Sequence, residues 1–232
     1  MSDEILRTLL DRNQSHTDAL AEDHFAYVQD GQAPPVVSVC CSDSRVSQEG
    51  MFDVEEAGYL FSPSNIGNQV RDEYQGDLVI DGNLMYPILH AGTESVAIVG
   101  HTQCGAVTAA YQSVTGEGHP EHPGIRERVE KLVPFVEDGL DSDAVDADVE
   151  EAALIDQLVE YNVDRQVETL RGHDGLPGDV SVYGFVYDFH ERYGDVPGRT
   201  YVVNVEGETD PEKIRDELPN RYGGFVDSLL AE

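Results

Sequence analysis

Short apolar runs alternate with amphipathic stretches along most of the chain. Val36 to Cys41 and Ser95 to Gly100 are continuous apolar runs rich in β-branched residues, which is typical of strands buried on both faces. Apolar residues recur at helical spacing over 104–112 and 152–170, so each range predicts a helix. Because alternating strands and helices favour a parallel sheet, we expect an α/β fold with a mostly parallel central β-sheet flanked by helices.

Weaker patterns predict the remaining elements. Apolar residues at roughly helical spacing between positions 2 and 29 predict N-terminal helices, which the Gly- and Pro-containing segment 31–35 ends. Asn83 is a candidate N-cap for a helix that runs to Leu89, with Pro87 best accommodated in the first turn. The other predicted elements are a short helix over 46–52, a strand over 58–61, a turn over 62–65, a loop over 116–124, and strands over 180–189 and 200–205.

The length of 232 residues fits one domain, and we expect residues 1–232 to form it, with residues 1–30 as a helical arm. Residues 137–151 hold eight acidic residues and no basic one, and the Asp141-x-Asp143 pair in this segment suggests a calcium loop at first sight. An EF-hand loop that began at Asp141 would need Gly at position 146 and Glu at position 152, where this chain has Asp146 and Ala152. A solvated acidic surface is the better interpretation.

The charge of the chain restricts its partners. Acidic residues outnumber basic ones by 46 to 14, which gives a formal net charge of −32 and argues against nucleic acid and anionic membranes as partners. The only lysines are Lys131 and Lys213. A dispersed acidic surface with scarce Lys resembles proteins of salt-accumulating halophiles, in which molar salt screens charges over roughly 3 Å; an ordinary acidic protein is the alternative. The sequence shows no leader and no apolar run of membrane-spanning length, which predicts a cytoplasmic protein.

Three residues at the ends of two predicted strands are candidate metal ligands. Cys41 ends one apolar run and His101 follows the other, and ligand sites in open α/β sheets usually lie at such carboxyl ends. Cys104 is three residues beyond His101, so the two can share one face of an early helical turn. Thiolate and imidazole suit zinc, and three protein ligands leave a fourth position open, as in catalytic sites.

Cys40 and Asp43 are the candidates for a fourth protein ligand. Side chains alternate along a strand, so Cys40 is expected to point away from Cys41 and into the core. Asp43 is two residues from Cys41, but Arg45 offers its carboxylate a bidentate partner that would hold it off the metal. We therefore expect an Asp43–Arg45 pair beside an open zinc position.

The pattern Cys41-x-Asp43-x-Arg45, followed some sixty residues later by His101-x-x-Cys104-Gly105, resembles the β-carbonic anhydrase family. The similarity covers roughly residues 32–188 and extends beyond the two motifs. The flanking segments that resemble the family are Phe61 with Asn65-Ile66-Gly67-Asn68, Leu84-Met85-Tyr86, Ile98-Val99-Gly100-His101, the helix segment 162–167, and the late strand 182–188.

This resemblance implies an enzyme that reversibly hydrates carbon dioxide to bicarbonate and a proton by zinc-bound hydroxide. It implies that the zinc ligands are Cys41, His101 and Cys104. It also implies that Asp43, paired with Arg45, accepts a hydrogen bond from the zinc-bound water or hydroxide.

The resemblance implies the surroundings of the metal as well. Gln32, nine residues before the first ligand as in plant-like members, would donate a hydrogen bond to carbon dioxide or bicarbonate. Gly105 would let the chain approach closely after Cys104. A homodimer or higher homo-oligomer is implied, and part of the apolar pocket would lie across a dimer interface; the pocket residues are Phe61, Ile66 and Tyr86.

Some positions depart from the family pattern. Ser64 stands where many members have Arg, Asn83 where many have Ser, and the chain has no Trp. The absence of Trp resembles the plant-like branch and argues against a bicarbonate regulatory pocket of Trp, Arg and Tyr, and the absence of Arg at position 64 argues against that pocket and against an anion contact by that Arg. Two alternatives stay open: a hydrolase of carbon disulfide or carbonyl sulfide on the same fold, and a non-catalytic zinc module. The Asp43–Arg45 pair favours catalysis, since a structural site has no need of a carboxylate beside an open position.

Overall fold

The computed structural model describes residues 2–231. Its strands are β1 (Val36–Cys41), β2 (Leu60–Phe61), β3 (Ser64–Asn65), β4 (Arg71–Tyr74), β5 (Asp77–Ile80), β6 (Ser95–His101), β7 (Ser181–Asp188) and β8 (Arg199–Val205). The main sheet has the order β2-β1-β6-β7-β8, and β3 also pairs with β1. All of these pairings are parallel except that of β7 with β8, which confirms the predicted α/β fold with a mostly parallel sheet.

Helices connect and flank the strands. They are α1 (Ser2–Ala19), α2 (Gln48–Met51), α3 (Gly82–Ala91), α4 (Gly105–Thr115), α5 (Pro123–Glu130), α6 (Val133–Leu140), α7 (Glu151–Arg171) and α8 (Pro211–Glu217), with a 3-10 helix at Asn220–Phe225. Over residues 2–231, none of the helices combines the length and the apolar character needed to cross a membrane.

The start of α3 differs from the prediction. Asp81 is the N-cap, not Asn83, because its carboxylate accepts the backbone N–H of Asn83 at 2.8 Å and the side-chain amide of Asn83 at 2.9 Å. A negative charge is also favourable at this end of a helix. Pro87 is consequently the sixth residue of the helix and lies outside its first turn.

The region between β1 and α3 is also more structured than the sequence indicated. The predicted strand over 58–61 is reduced to β2, and the predicted turn over 62–65 contains β3. Strands β4 and β5, for which the sequence analysis had no element, form an antiparallel hairpin. The short β2 and β3 strands align successive parts of this region with β1 and lead the chain past the end of that strand.

The long helix α7 packs directly on β6 and β7. Gly100 in β6 and Gly184 in β7 leave room for the fully buried Val163 of the helix. A Cβ at Gly100 would lie 2.7 Å from Val163 Cγ2, and a Cβ at Gly184 would lie 2.8 Å from Val163 Cγ1. Since carbon atoms in contact are normally about 3.5–4.0 Å apart, α7 can lie this close only because both strand positions lack a side chain. The helix is thereby fixed next to His101, which follows Gly100.

Two segments present distinctive surfaces. The side chains of Ile5, Leu6, Leu9 and Leu10 on α1 are between 57% and 64% exposed, so this helix leaves its apolar residues uncovered within the chain. The acidic segment 137–151 spans the end of α6, a loop and the first residue of α7, and all eight of its acidic residues are exposed. Val145 in the loop is buried and anchors this segment to the core.

Candidate metal centre

The ends of two paired strands bring the three predicted ligands together. Cys41 is the last residue of β1, His101 is the last residue of β6, and Cys104 is the N-cap of α4. Strands β1 and β6 are hydrogen-bonded neighbours in parallel register, which sets Cys41 beside the end of β6. One ligand atom from each of the three residues lies within 4.8 Å of the others, and the two sulfur atoms are 3.8 Å apart.

The chemistry of the three groups fits a metal ion. The imidazole of His101 is fully buried, and its Nδ1 lies 3.0 Å from the Thr102 carbonyl oxygen. Because a carbonyl only accepts, Nδ1 carries the proton and Nε2 has its lone pair free. Nε2 is buried and has no hydrogen-bond partner in the described chain. A buried nitrogen without a partner, aimed at two thiols, is the arrangement that a Cys-His-Cys zinc site requires.

The electrostatics around Cys41 favour the thiolate that a metal needs. Chiefly the hydrogen bond from the Cys104 thiol, with the backbone N–H of Gly67, lowers the pKa of Cys41 to about 4, against the effect of burial. The hydrogen bond to Cys41 and burial raise the pKa of Cys104, while the N–H groups of Ala106 and Val107 at the start of α4 favour its charged form. The first thiol therefore ionises readily, and the second is placed to do so when a cation compensates the charge.

Asp43 and Arg45 form the predicted bidentate pair beside this group. Arg45 donates from Nε to Oδ1 at 2.9 Å and from a terminal nitrogen to Oδ2 at 2.7 Å, and its backbone N–H also donates to Oδ1 at 2.9 Å. These contacts with Arg45 hold the pKa of Asp43 well below its ordinary value. Oδ2 lies 3.9 Å from His101 Nε2, so the carboxylate faces the metal position while Arg45 restrains it.

Phe189 is a site residue that the sequence analysis missed. Its ring stacks on the His101 ring with the centroids 5.7 Å apart, and the Arg45 guanidinium carbon lies 4.7 Å from the centroid of the Phe189 ring. One aromatic side chain thus contacts a metal ligand and the partner of Asp43. Phe189 directly follows β7, the neighbour of β6, and its place at the carboxyl end of the strand predicted over 180–189 was the signal that could have found it.

The predicted pocket residues are divided between two regions. Ile66 follows Asn65, which pairs with Cys41, so Ile66 lies near the metal end of β1. Phe61 pairs with Val37 near the opposite end of that strand, and its ring centroid is 6.3 Å from that of the half-exposed Tyr86. Four residues of a strand span about 13 Å. Within one chain, the structure therefore does not bring Phe61 and Tyr86 close to the three metal ligands.

Gln32 lies far from the three metal ligands, whereas Gly105 lies next to one of them. Gln32 is exposed, precedes the start of β1, and lines a recess of about 460 Å³ with Tyr27 and Tyr59, at the end of the strand remote from Cys41. Gly105 begins α4 directly after Cys104, and a Cβ at this glycine would meet no atom within 4 Å in the described chain. The single chain thus brings Gly105, but not Gln32, next to the metal ligands.

Cys40 faces away from the site, in agreement with the alternation of side chains along a strand. It packs with Ala97 and Val99 on one face of the sheet, whereas Cys41 belongs to the core cluster on the other face. Burial raises the pKa of Cys40 to about 12, so this thiol stays neutral. Cys40 therefore does not add a fourth donor to Cys41, His101 and Cys104.

Two thiols, one imidazole and a restrained carboxylate lie together at one edge of this α/β sheet. This arrangement is typical of a class of zinc enzymes in which the metal keeps a free coordination position. The sequence matches the carbonic anhydrase family over residues 36–196, and the chain belongs to this family. Zinc is the metal that β-carbonic anhydrases use.

Individual relatives agree with the family match. A carbonic anhydrase of Pseudomonas aeruginosa is 28% identical over 162 residues, which cover 68% of this chain and 70% of that protein. A β-carbonic anhydrase of Aspergillus fumigatus has a TM-score of 0.69 at 21% identity, covering 96% of this chain and 99% of that one. A tetrameric β-carbonic anhydrase of Sordaria macrospora has a TM-score of 0.68 at 18% identity, covering 88% of this chain and 98% of that one. The structural similarities show that this chain has the β-carbonic anhydrase fold.

Proposed function

We propose that this protein reversibly hydrates carbon dioxide to bicarbonate and a proton, with zinc held by Cys41, His101 and Cys104. One observation carries the proposal: two thiols lie within 4.8 Å of an imidazole nitrogen that has no hydrogen-bond partner among residues 2–231, next to a carboxylate that an arginine restrains. Membership of the carbonic anhydrase family supports the same activity.

The residues around the metal position have distinct tasks in this reaction. Zinc lowers the pKa of a coordinated water from about 15.7 to about 7 and so supplies a nucleophile near neutral pH. Asp43 accepts a hydrogen bond from the attacking water and orients it, because its Oδ2 faces the position in front of His101 Nε2. Arg45 holds both carboxylate oxygens of Asp43 and keeps that group from closing the open position. Ile66 gives the substrate an apolar wall.

A second copy of the chain completes the pocket in this proposal. Gln32, Phe61 and Tyr86 have the roles expected from the sequence only if a neighbouring subunit brings them to the metal, since they lie at the other end of β1 within their own chain. The half-exposed Tyr86 ring beside Phe61 is available for such a contact. The substrate site would then be shared between subunits.

Stopped-flow measurement of carbon dioxide hydration by the zinc-loaded protein tests the activity. We expect Asp43→Ala to lower kcat/KM by about 10- to 100-fold, the usual effect of removing a group that supports a metal site. Asp179→Ala removes an exposed carboxylate elsewhere and serves as the matched control, with wild-type activity expected.

The same preparation separates the alternatives. Absence of hydration at every pH from neutral to alkaline rejects the proposal. Turnover of carbon disulfide or carbonyl sulfide by that inactive sample would identify the hydrolase alternative. If neither reaction occurs and zinc removal unfolds the chain, the metal is structural.

The homo-oligomer is proposed from the exposed apolar side of α1 as well as from the divided pocket. Ile5, Leu6, Leu9 and Leu10 lie on one helix and are more than half exposed within the chain, so contact with another copy would remove them from water. Sedimentation velocity compares Leu9→Asp with Asn13→Asp, which makes the same substitution at a polar position of the same helix. Dissociation by Leu9→Asp alone is expected, and a monomeric wild type contradicts the proposal.

A halophilic origin is proposed from the net charge of −32. Without salt, repulsion between so many carboxylates destabilises the compact state, and molar salt screens it. The midpoint of thermal unfolding should therefore rise steeply as KCl is increased to molar concentration. A midpoint that does not respond to KCl contradicts this origin.

The branch and the compartment are proposals of the same kind. The plant-like branch is supported at Ser64, which accepts a hydrogen bond from the buried Gln48 at 3.0 Å where an arginine would otherwise stand. If the chain belongs to the plant-like branch, bicarbonate should inhibit hydration without cooperativity. A sigmoidal dependence of the hydration rate on bicarbonate concentration contradicts this assignment. We place the protein in the cytoplasm because its three buried cysteines form no disulfide within residues 2–231, as is usual in a reducing compartment.

A further inference from the structure

The short turn between the two ligands of β6 and α4 has an unusual backbone. Gln103 lies between His101 and Cys104 and has φ of 54°, in the left-handed region. A side chain makes this conformation unfavourable, so surrounding contacts have to hold it. Because the turn sets the spacing of two metal ligands, whatever holds Gln103 also controls the metal site.

The carboxylate that holds this turn belongs to Asp156 on α7. Its side chain is fully buried. Oδ1 accepts the backbone N–H of Gln103 at 2.7 Å, and Oδ2 accepts the Gln103 side-chain amide at 3.0 Å. The same amide also donates to the Ala152 carbonyl at 2.8 Å. Both the backbone and the side chain of Gln103 are therefore fixed to one helix that lies outside the metal group.

Arg192 balances the charge of this buried carboxylate. Its Nε lies 2.8 Å from Asp156 Oδ2. The segment that carries Arg192 is itself ordered by Asp188, whose Oδ2 accepts the backbone N–H groups of Arg192 and Tyr193 at 2.7 and 2.9 Å. Phe189, which stacks on His101, is part of the same segment. The ion pair thus joins the helix that holds Gln103 to the segment whose Phe189 ring stacks on His101.

We propose that Asp156, with Arg192, is a positioning residue for the metal centre: it holds Gln103 in its left-handed conformation and so presets the spacing of His101 and Cys104. This inference rests on the proposed zinc site. It assigns a role in metal binding to a residue that contacts neither the metal ligands nor the substrate position. The two carboxylate oxygens of Asp156 offset the unfavourable backbone conformation by accepting hydrogen bonds from both the backbone and the side chain of Gln103, which an apolar core residue could not do.

Zinc affinity, measured by competition with a chromophoric chelator, tests the proposal. Asp156→Ala should weaken zinc binding by about 10- to 100-fold, and Asp156→Asn, which keeps an acceptor for the Gln103 N–H, by less. Asp164→Asn is the matched control, because Asp164 lies two turns further along α7 and accepts a hydrogen bond from Asn204 in β8. This control should retain wild-type affinity. If the alanine variant fails to fold, the asparagine variant carries the comparison.

A second substitution distinguishes positioning from general stability. Glycine adopts positive φ without cost, so Gln103→Gly should restore part of the zinc affinity in the Asp156→Ala background. The visible spectrum of cobalt-substituted protein should change in Asp156→Ala and return toward that of the wild type in the double variant. Unchanged affinity in Asp156→Ala, an equal loss in Asp164→Asn, or no recovery with Gln103→Gly overturns the proposal. A wild-type protein that does not bind zinc instead overturns the proposed function.

Discussion

Replacing Gly100 by alanine tests how tightly α7 is packed on the sheet. The new Cβ would lie 2.7 Å from Val163 Cγ2 and 3.1 Å from Val159 Cγ1. Because ordinary carbon contacts are about 3.5–4.0 Å, the nearest pair has to separate by roughly 1 Å. Val163 is fully buried, and a helical valine has one strongly preferred rotamer, so rotation of its side chain does not relieve the overlap. The helix or the strand has to move.

We expect Gly100→Ala to lower the free energy of unfolding by about 1–3 kcal/mol, the usual cost of overpacking a core. For a chain of this size each kcal/mol corresponds to a fall in Tm of about 2–4 °C. Urea unfolding at a fixed KCl concentration, followed by circular dichroism, measures the change. Gly82→Ala is the control, because Gly82 begins α3 and a Cβ there meets nothing within 4 Å. That variant should be neutral or more stable by about 0.5–1 kcal/mol.

A double variant checks that the cause is contact with Val163. Val163→Ala removes both methyl groups that face Gly100 and Gly184, so it should offset part of the loss caused by Gly100→Ala. The two changes should then depart from additivity by at least about 0.5 kcal/mol. If Gly100→Ala is as stable as the wild type, or if the two effects simply add, the close-packing argument is wrong.

Other variants test single features of the centre. Cys40→Ala is expected to lower the free energy of unfolding by about 1–2 kcal/mol and to keep the zinc content, measured by mass spectrometry, while Cys41→Ala loses the metal; zinc loss in Cys40→Ala would contradict the assignment of faces. Burial raises the pKa of Asp164 to about 8, so the folded chain binds more protons than the unfolded chain between about pH 4 and pH 8, and stability falls as the pH rises through this range. The Asp164→Asn variant has no carboxyl group at this position, so it does not lose this stability. The free energy of unfolding of the variant minus that of the wild type should therefore increase between about pH 5 and about pH 8; a difference that does not change with pH refutes the raised pKa. Phe189→Leu removes the aromatic face beside Arg45 and should lower kcat/KM about two- to fivefold at unchanged zinc content, and an unchanged rate would show that the stacking does not support Arg45.

The central strands and the three metal ligands could be predicted from the sequence because their signals are local. The apolar runs that end at Cys41 and His101 mark buried strands wherever they occur, and parallel pairing then brings the two ends together. The separation of His101 and Cys104 by three positions marked them as a ligand pair from the nearby sequence, although the turn between them is left-handed at Gln103 and is not the early helical turn that the sequence predicted. For these residues, the nearby sequence determines the chemistry, whereas contacts from α7 hold the conformation of the turn.

The supporting residues could not be predicted because their contacts are distant in sequence. Asp156 is 53 positions from Gln103 in the sequence. The pattern of apolar and polar residues does not indicate that Gln103 adopts a left-handed conformation. The β4–β5 hairpin was missed because Arg71–Tyr74 is mostly polar and shows no alternation, although Gly76 at its turn was a usable signal. Asp81 and Asn83 both have side chains suited to the N-cap position. Because Asp and Asn are about equally favoured there, the sequence does not indicate which of them caps α3.

The parallel register of β1 and β6 also determines when the metal is needed. Five residue pairs from Val36 with Ser95 to Cys40 with Val99 align the strands just before Cys41 and His101, so backbone hydrogen bonds fix the ligand spacing. Small zinc-finger domains, by contrast, fold only when the metal binds. We expect the metal-free chain to keep its circular dichroism spectrum and to regain activity when zinc is restored. Synthesis and zinc supply are then separate events, and a cell short of zinc can hold a folded reserve of this enzyme for later loading.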